Sequence, residues 1–258
     1  MQFKILRKDK KIKKINFFII LFLSFCIVKA TPSTCIFIPS VDFQPFLNPH
    51  FGLDCYFNTY GVGNLTNAGI TIGVLPFEKL QMEVGIDYRD INGIHDYPFL
   101  FNAKIGIPED IFINYQPAFA FGIYDVGFKT NINSYNIGYG LLGKTFGKFG
   151  RISLGAYKGA IGVDPKYLFF VNSDTSSFNR KISDIGFLAS YDRYFPELNN
   201  KLWICIDFMS GYNSYGSLNF GFAWFFTQTV SVILGYDIYL DNKLLKPTFN
   251  VQFDINMF

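Results

Sequence analysis

The sequence predicts an all-β protein: an antiparallel transmembrane β-barrel of about twelve strands, with ten and fourteen as the bounds. Three observations predict it. Aromatic residues make up 19% of the 258 positions and charged residues only 17%, with 32 Phe, 16 Tyr and 23 Gly; this composition favours pleated strands and tight turns over helices. Apolar residues alternate with polar ones in runs of about ten, the length a tilted strand needs to cross a bilayer. Beyond the N-terminus no apolar run reaches the roughly twenty residues of a membrane-spanning helix.

The first element is the segment "MQFKILRKDKKIKKINFFIILFLSFCIVKA". A basic stretch (Lys4 to Lys14) precedes an apolar core from Ile15 to Val28, and Val28-Lys29-Ala30 places small residues where a signal peptidase cuts. Residues 1–30 are therefore expected to be a cleaved export signal. Phe25 beside Cys26 is too bulky for a lipoprotein box. The segment carries eight of the 23 basic residues and one of the 20 acidic ones, so the remainder has fifteen basic against nineteen acidic. The basic balance belongs to the signal, and nucleic-acid binding loses its support. Three cysteines remain, Cys35, Cys55 and Cys205. An odd count without CxxC or His-rich spacing reads as buried small apolar residues, with neither a metal nor another cofactor implied.

Residues 31–48 hold three prolines and are expected to form an irregular periplasmic leader, with insertion into the lumen as the alternative. The barrel is assigned to residues 49–258. In "LQMEVGIDYR", Leu80, Met82, Val84, Ile86 and Tyr88 share one face, while Glu83, Gly85, Asp87 and Arg89 share the other. "PFLFNAKIGI" sets Phe99, Phe101, Ala103, Ile105 and Ile107 against Asn102, Lys104 and Gly106. "LWICIDF" sets Leu202, Ile204, Ile206 and Phe208 against Cys205 and Asp207; "SLNFGFAWFF" and "VSVILGYDIYL" repeat the pattern, the latter with Asp237 on its polar face. In the closing "TFNVQFDINMF", Phe249, Val251, Phe253, Ile255 and Met257 form the apolar edge, and Phe258 falls one residue out of step. No helix-period segment is left over to cover the apolar faces, so the sheet must close on itself and turn them to lipid.

Short links at 76–79, 108–110, 147–150, 196–200 and 227–229 alternate with longer ones at 61–66, 90–97, 125–134, 159–181, 211–214 and 241–246. Tight turns at one rim and long loops at the other give an even strand number with both ends on the tight-turn side.

The export signal, the alternating runs, the turn set and the terminal Phe258 together resemble the bacterial outer-membrane β-barrel class, over residues 49–258. The resemblance implies the cell outer membrane as location, with its lipid and the barrel-assembly machinery as partners. It also implies Phe258 as the assembly signal, which normally shares the apolar edge.

With the apolar edges towards lipid, the lumen is expected to be lined by Asp54, Glu83, Asp87, Asp192, Asp207, Asp237 and Asp254 and by Arg89, Lys104 and Lys144. Gly85, Gly106, Gly138, Gly140, Gly155, Gly186, Gly221 and Gly235 fall on the same face. Seven acidic against three basic groups predict a cation-leaning interior, because charges on low-dielectric walls focus the field. The functional expectation is a passive channel for small cationic or neutral solutes; a closed structural or surface barrel is the alternative. A barrel hydrolase would need a histidine at the long-loop rim. Only His50 and His95 exist, and of these His95, beside Asp96, lies in such a loop. A solvated loop histidine is the plainer reading, and no enzyme is expected.

Overall fold

A computed structural model describes residues 33–58, 64–91, 93, 96–159, 183–242 and 245–257. The export signal, His95, most of the 159–181 loop and Phe258 lie outside them. Twelve antiparallel strands close into one barrel: β1 (Pro49–Asn58), β2 (Asn64–Gly73), β3 (Gln81–Ile91), β4 (Phe99–Ile107), β5 (Ala118–Val126), β6 (Ile137–Thr145), β7 (Arg151–Gly159), β8 (Ile185–Tyr194), β9 (Leu202–Met209), β10 (Ser217–Phe225), β11 (Val230–Tyr239) and β12 (Thr248–Asn256). Each strand pairs with its sequence neighbour, and β1 closes on β12 in register from His50 opposite Asn256 to Asn58 opposite Thr248. Closure leaves no unpaired edge, which lipid would penalise by several kcal/mol per backbone group.

The alternation sorts side chains as it predicts along most strands. On β12, Thr248, Asn250, Gln252, Asp254 and Asn256 are buried inside, and Phe249, Phe253 and Ile255 are exposed outside. Phe51, Leu53, Phe101, Phe187, Phe220 and Trp224 belong to the same outward apolar belt. A soluble monomer rarely exposes a contiguous apolar patch beyond a few hundred Å². Exposed aromatics mark the two rims: Phe77, Phe146 and Phe149 at the short-turn end, Phe128 and Tyr212 at the long-loop end. Such girdles flank the apolar band of membrane barrels.

Two strands depart from the pattern. On β6 the parity is reversed: Ile137, Tyr139, Leu141 and Gly143 are buried inside, while Gly138, Gly140 and Lys144 fall on the outward side. On β5 the register slips between Phe101 opposite Val126 and Ala103 opposite Ile123, so two residues, Tyr124 and Asp125, face the single Asn102. This β-bulge holds Asp125 at φ 52° and lets it turn inward beside Tyr124. Asp125 thus belongs to the barrel wall and not to a loop from 125 to 134. The short link after β4 is longer than three residues, running from 108 to 117, with the Gln116 side chain bonded to the Phe112 N–H and the Pro108 carbonyl.

The leader is not outside the barrel. Its described part, from Ser33 onward, lies in the lumen, with Cys35, Ile36, Ile38, Ser40, Val41, Phe43 and Gln44 buried. This placement explains the reversed β6: Gly143 closely faces Val41, so that wall needs apolar side chains and small ones. Added Cβ atoms at Gly106, Gly221 and Gly235 would meet Phe43 or Ile36 at 2.7 to 2.8 Å, and one at Gly73 would meet the Gln44 carbonyl at 2.2 Å. The space those glycines leave is occupied by the chain's own leader rather than by water.

Candidate functional site

A proline-containing segment cannot join the strand ladder, yet its backbone groups must be satisfied when buried. Wall side chains do this. Asp207 on β9 accepts the N–H groups of Ile36 at 2.7 Å and Phe37 at 2.9 Å, and its other oxygen accepts from Asn219 at 2.6 Å. Gln252 donates to the Ile36 carbonyl at 2.6 Å. Glu83 accepts the Gln44 N–H at 2.7 Å and pairs with Lys104 at 3.1 Å, and Lys104 donates to the carbonyls of Ser33 and Ser40 at 3.3 and 3.2 Å. At the short-turn end Arg151 grips Asp42 with two 2.7 Å bonds while also bonding Asp192 at 2.9 Å; Asp192 in turn accepts from Trp203 at 3.1 Å. Burial pushes the Asp42 carboxyl up, but the Arg151 guanidinium more than offsets this and holds it below the usual carboxylate value.

The leader fills one side of the lumen and leaves the other open. Between it and a wall formed mainly by β1 to β4, with Tyr124, Asp125, Tyr139, Tyr239 and Asp254 from β5, β6, β11 and β12, lies a cavity of about 170 Å³, room for on the order of ten waters. Asp54, Asp87, Glu83, Asp254, Arg89, Lys104 and His50 reach it, with Asn67, Thr71, Gly52, Gly69 and Gly85 between them. His50 bonds Asn256 at 3.0 Å and lies 3.3 Å from Asp254, near the short-turn mouth. Among the described residues Asp54 and Asp87 form no ion pair; Asn67 donates to Asp54 at 3.4 Å and Asn102 to Asp87 at 2.8 Å. Toward the long-loop end, Arg89 is clamped to Asp125 by bonds of 2.8 and 2.9 Å. Tyr215 donates to the same Asp125 carboxylate, and burial raises the Tyr215 pKa well above the ordinary phenol value. The Phe37 ring stands against Tyr215, Tyr56 and Tyr239 with centroids 6.0 to 6.2 Å apart.

The ten charged positions expected in the lumen therefore divide into three groups. Asp54, Glu83, Asp87, Arg89, Lys104 and Asp254 line the cavity. Asp192, Asp207 and Asp237 point inward elsewhere, Asp192 and Asp207 holding the leader or its anchor and Asp237 accepting from Thr248 at 2.7 Å and Asn250 at 2.8 Å. Lys144 is not in the lumen; it sits on the outward side of β6 and pairs with Glu109 at 3.1 Å and Asp110 at 2.8 Å, because the apolar parity of that strand faces the leader. Asp125 completes the cavity and was hidden from pattern reading by the bulge. No residue type marks it; the bulge shows only in the backbone, with Asp125 at φ 52°. Of the three cysteines, Cys35 and Cys205 are buried as expected, but Cys55 is only half-buried because β1 turns it outward.

The fold and its apolar belt define this chain as a β-barrel of the outer-membrane class. No protein-family model matches it, and no curated protein does. Among solved structures it is similar to a membrane protein from a study of in-meso crystallization, at 12% identity over 81% of this chain and 84% of that one, with a TM-score of 0.50. The KdgM porin follows at 8% identity over 80% of this chain and 98% of that one (TM-score 0.48). An outer-membrane channel from Pseudomonas putida F1 matches at 10% identity over 89% of this chain and 100% of that one (TM-score 0.48). These likenesses concern the fold.

Proposed function

We propose that this protein is an outer-membrane channel for small solutes whose N-terminal leader stays in the lumen and confines passage to the cavity along β1 to β4. The observation that carries this reading is the open space beside the seated leader: it is walled mainly by β1 to β4, which present Gly52, Gly69, Gly85, Asn67, Thr71, Asn102 and carboxylates to it, while Glu83 and Lys104 of the same wall also hold the leader. A barrel meant only to be filled would not need a polar wall of small residues facing away from its plug. Five acidic groups (Asp54, Glu83, Asp87, Asp125, Asp254) against two basic ones (Arg89, Lys104) reach the cavity. With Glu83 and Asp125 neutralised by Lys104 and Arg89, the remaining carboxylates favour cations over anions. Export through the inner membrane, removal of residues 1–30 and delivery by the barrel-assembly machinery complete the reading.

Planar-bilayer recording tests it. The purified full chain should give small cation-selective steps, and a chain lacking residues 33–47 should give larger ones. A full chain that is silent beside a conducting truncated one would favour the second reading, a structural barrel closed by its leader. The filled half of the lumen supports that reading. Silence from both would end the channel proposal.

A further inference from the structure

Cys35 in the leader and Cys205 on β9 bring their sulfur atoms within 4.8 Å of each other, with an Asp207 carboxylate oxygen equally near and all three residues buried. Two thiols and a carboxylate suggest a soft metal site, but the carboxylate is already committed. One Asp207 oxygen takes the backbone N–H groups of Ile36 and Phe37, the other the amide of Asn219. A metal would have to displace the bonds that seat the leader, and two sulfurs alone fall short of the four donors of a closed zinc site. What remains is a pair of facing thiols on two segments 170 positions apart.

We propose that Cys35 and Cys205 form a disulfide that fastens the leader covalently to the barrel wall. Asp207 is the positioning residue. By holding the amide immediately after Cys35 it keeps that sulfur opposite Cys205, and the bridge requires the two sulfurs to close from within 4.8 Å to the roughly 2 Å of a disulfide bond. Cys55 has no place in the pair. It is paired on β1 with Val251 and Thr66 and turns to the outside. The odd cysteine count thus resolves into one bridge and one thiol at the lipid-facing surface.

The reaction is thiol–disulfide exchange with an external disulfide, either that of an oxidised protein thiol oxidant or oxidised glutathione. The Cys35 thiolate attacks one sulfur of the oxidant's disulfide and bonds to it as a mixed disulfide on the leader, while the other sulfur leaves as a thiolate and takes up a proton. Docking brings this to Cys205, whose thiolate attacks the Cys35 sulfur and releases the oxidant's second thiol. Two electrons pass to the oxidant and the two protons lost by the cysteines end on its sulfurs. Because both thiols are buried once the leader is seated, exchange with the oxidant precedes docking. The proposal rests on the export reading, since the bridge needs an oxidising compartment.

The test is peptide mapping of the full chain isolated from cell envelopes without reductant and unfolded in excess maleimide. Tandem mass spectrometry should find a peptide joining Cys35 to Cys205, with maleimide on Cys55, and reduction should free both cysteines for labelling. Cys55→Ser should leave the joined peptide intact, and Cys35→Ser should leave Cys205 labelled. Maleimide on both Cys35 and Cys205 in envelope-derived protein overturns the proposal, as does a bridge involving Cys55 or a stoichiometric zinc or copper ion released on unfolding. Membrane fractionation of the same cells reads the export proposal separately. Protein found in the cytoplasm sinks that reading, while envelope protein with both thiols free sinks only the bridge.

Discussion

Arg89 and Asp125 meet in a two-pronged ion pair, 2.8 and 2.9 Å, across a gap that regular strand geometry would not allow them to bridge. A regular β5 would turn Asp125 to lipid, because Tyr124 already faces inward; the bulge opposite Asn102 reverses it, and Asn102 caps the Asp125 N–H at 2.9 Å. The pair is almost fully desolvated, with 10% and 5% of the two side chains exposed. Removing one partner leaves the other charge buried, which costs about 3 to 5 kcal/mol. Asp125→Ala should therefore lower the temperature at which the compact band converts to the unfolded one on a denaturing gel. Arg89→Met with Asp125→Leu should recover much of that loss. A single mutant as heat-resistant as the parent would show that water reaches this end of the lumen.

The Arg151–Asp42 clamp makes a pH prediction. Asp42 has a depressed folded pKa, so its contribution to seating the leader is fully present above the unfolded value near 3.8 and is lost as pH falls through the lower folded value. Leader release, read as protease cleavage between residues 33 and 48, should stay low from neutral pH to about 4 and rise only below it. In Arg151→Gln the carboxyl loses its counter-charge while its burial remains, so cleavage should begin at higher pH. An unchanged onset would remove the clamp from the account of leader seating.

How much of this could be read from the chain follows from what each face touches. Lipid is uniform, so Phe249, Phe253 and Ile255 alternate cleanly with Asn250, Gln252 and Asp254, and strand number and most inward positions were legible. The lumen is not uniform. Where the leader packs, β6 turns Ile137, Tyr139 and Leu141 inward, and a rule equating polar with inward misplaces Lys144, Gly138 and Gly140. The leader itself carries no periodicity, and nothing in its composition says that Asp207, Gln252 and Lys104 will satisfy its backbone, since those partners lie 60 to 220 positions away. Asp125 was illegible because a bulge shifts register without changing residue types.

Lys144 and Asp87 offer a contrast that separates the two views of the lumen. Lys144 is outside, among Glu109 and Asp110, and Lys144→Gln should leave ion selectivity unchanged. Asp87 reaches the cavity and forms no salt bridge among the described residues; Asn102 donates to it at 2.8 Å. Asp54→Asn combined with Asp87→Asn should reduce the cation preference a few-fold toward unity in reversal-potential measurements. Equal effects from the two variants would mean that ions do not follow the β1 to β4 wall.

Glycines on that wall set the width of the remaining path. A Cβ at Gly85 would come within 2.7 Å of the Thr71 hydroxyl and one at Gly69 within 2.1 Å of an Asp87 oxygen, so any side chain there must push into the cavity. Gly85→Val should cut single-channel conductance severalfold while the gel shift of the folded barrel persists, since Thr71 is a movable neighbour. Gly138→Val is the control, because Gly138 lies on the outward side of β6 with only the Lys158 carbonyl near at 3.7 Å. It should leave conductance alone.

The last step of the chain can be tested in the same way. β12 keeps perfect register with β1 to its end, and Met257 continues it: its N–H donates to the Pro49 carbonyl at 3.0 Å and its side chain stands on the exposed outward face. Among the described residues no bulge intervenes before Met257, and Phe258 lies outside them; the alternation of the sequence alone sets position 258 one step out of phase with the apolar edge. If the terminal aromatic acts as an assembly signal from the apolar edge, the sequence pattern sets it out of phase. Deleting Met257 moves Phe258 into the position Met257 holds, onto the lipid side. Folded barrel in the outer-membrane fraction should then match or exceed the parent level, and Phe258→Ala in the intact chain should reduce it. A severe defect on deleting Met257 would mean that assembly requires the aromatic at the mouth of the lumen rather than on its outer edge.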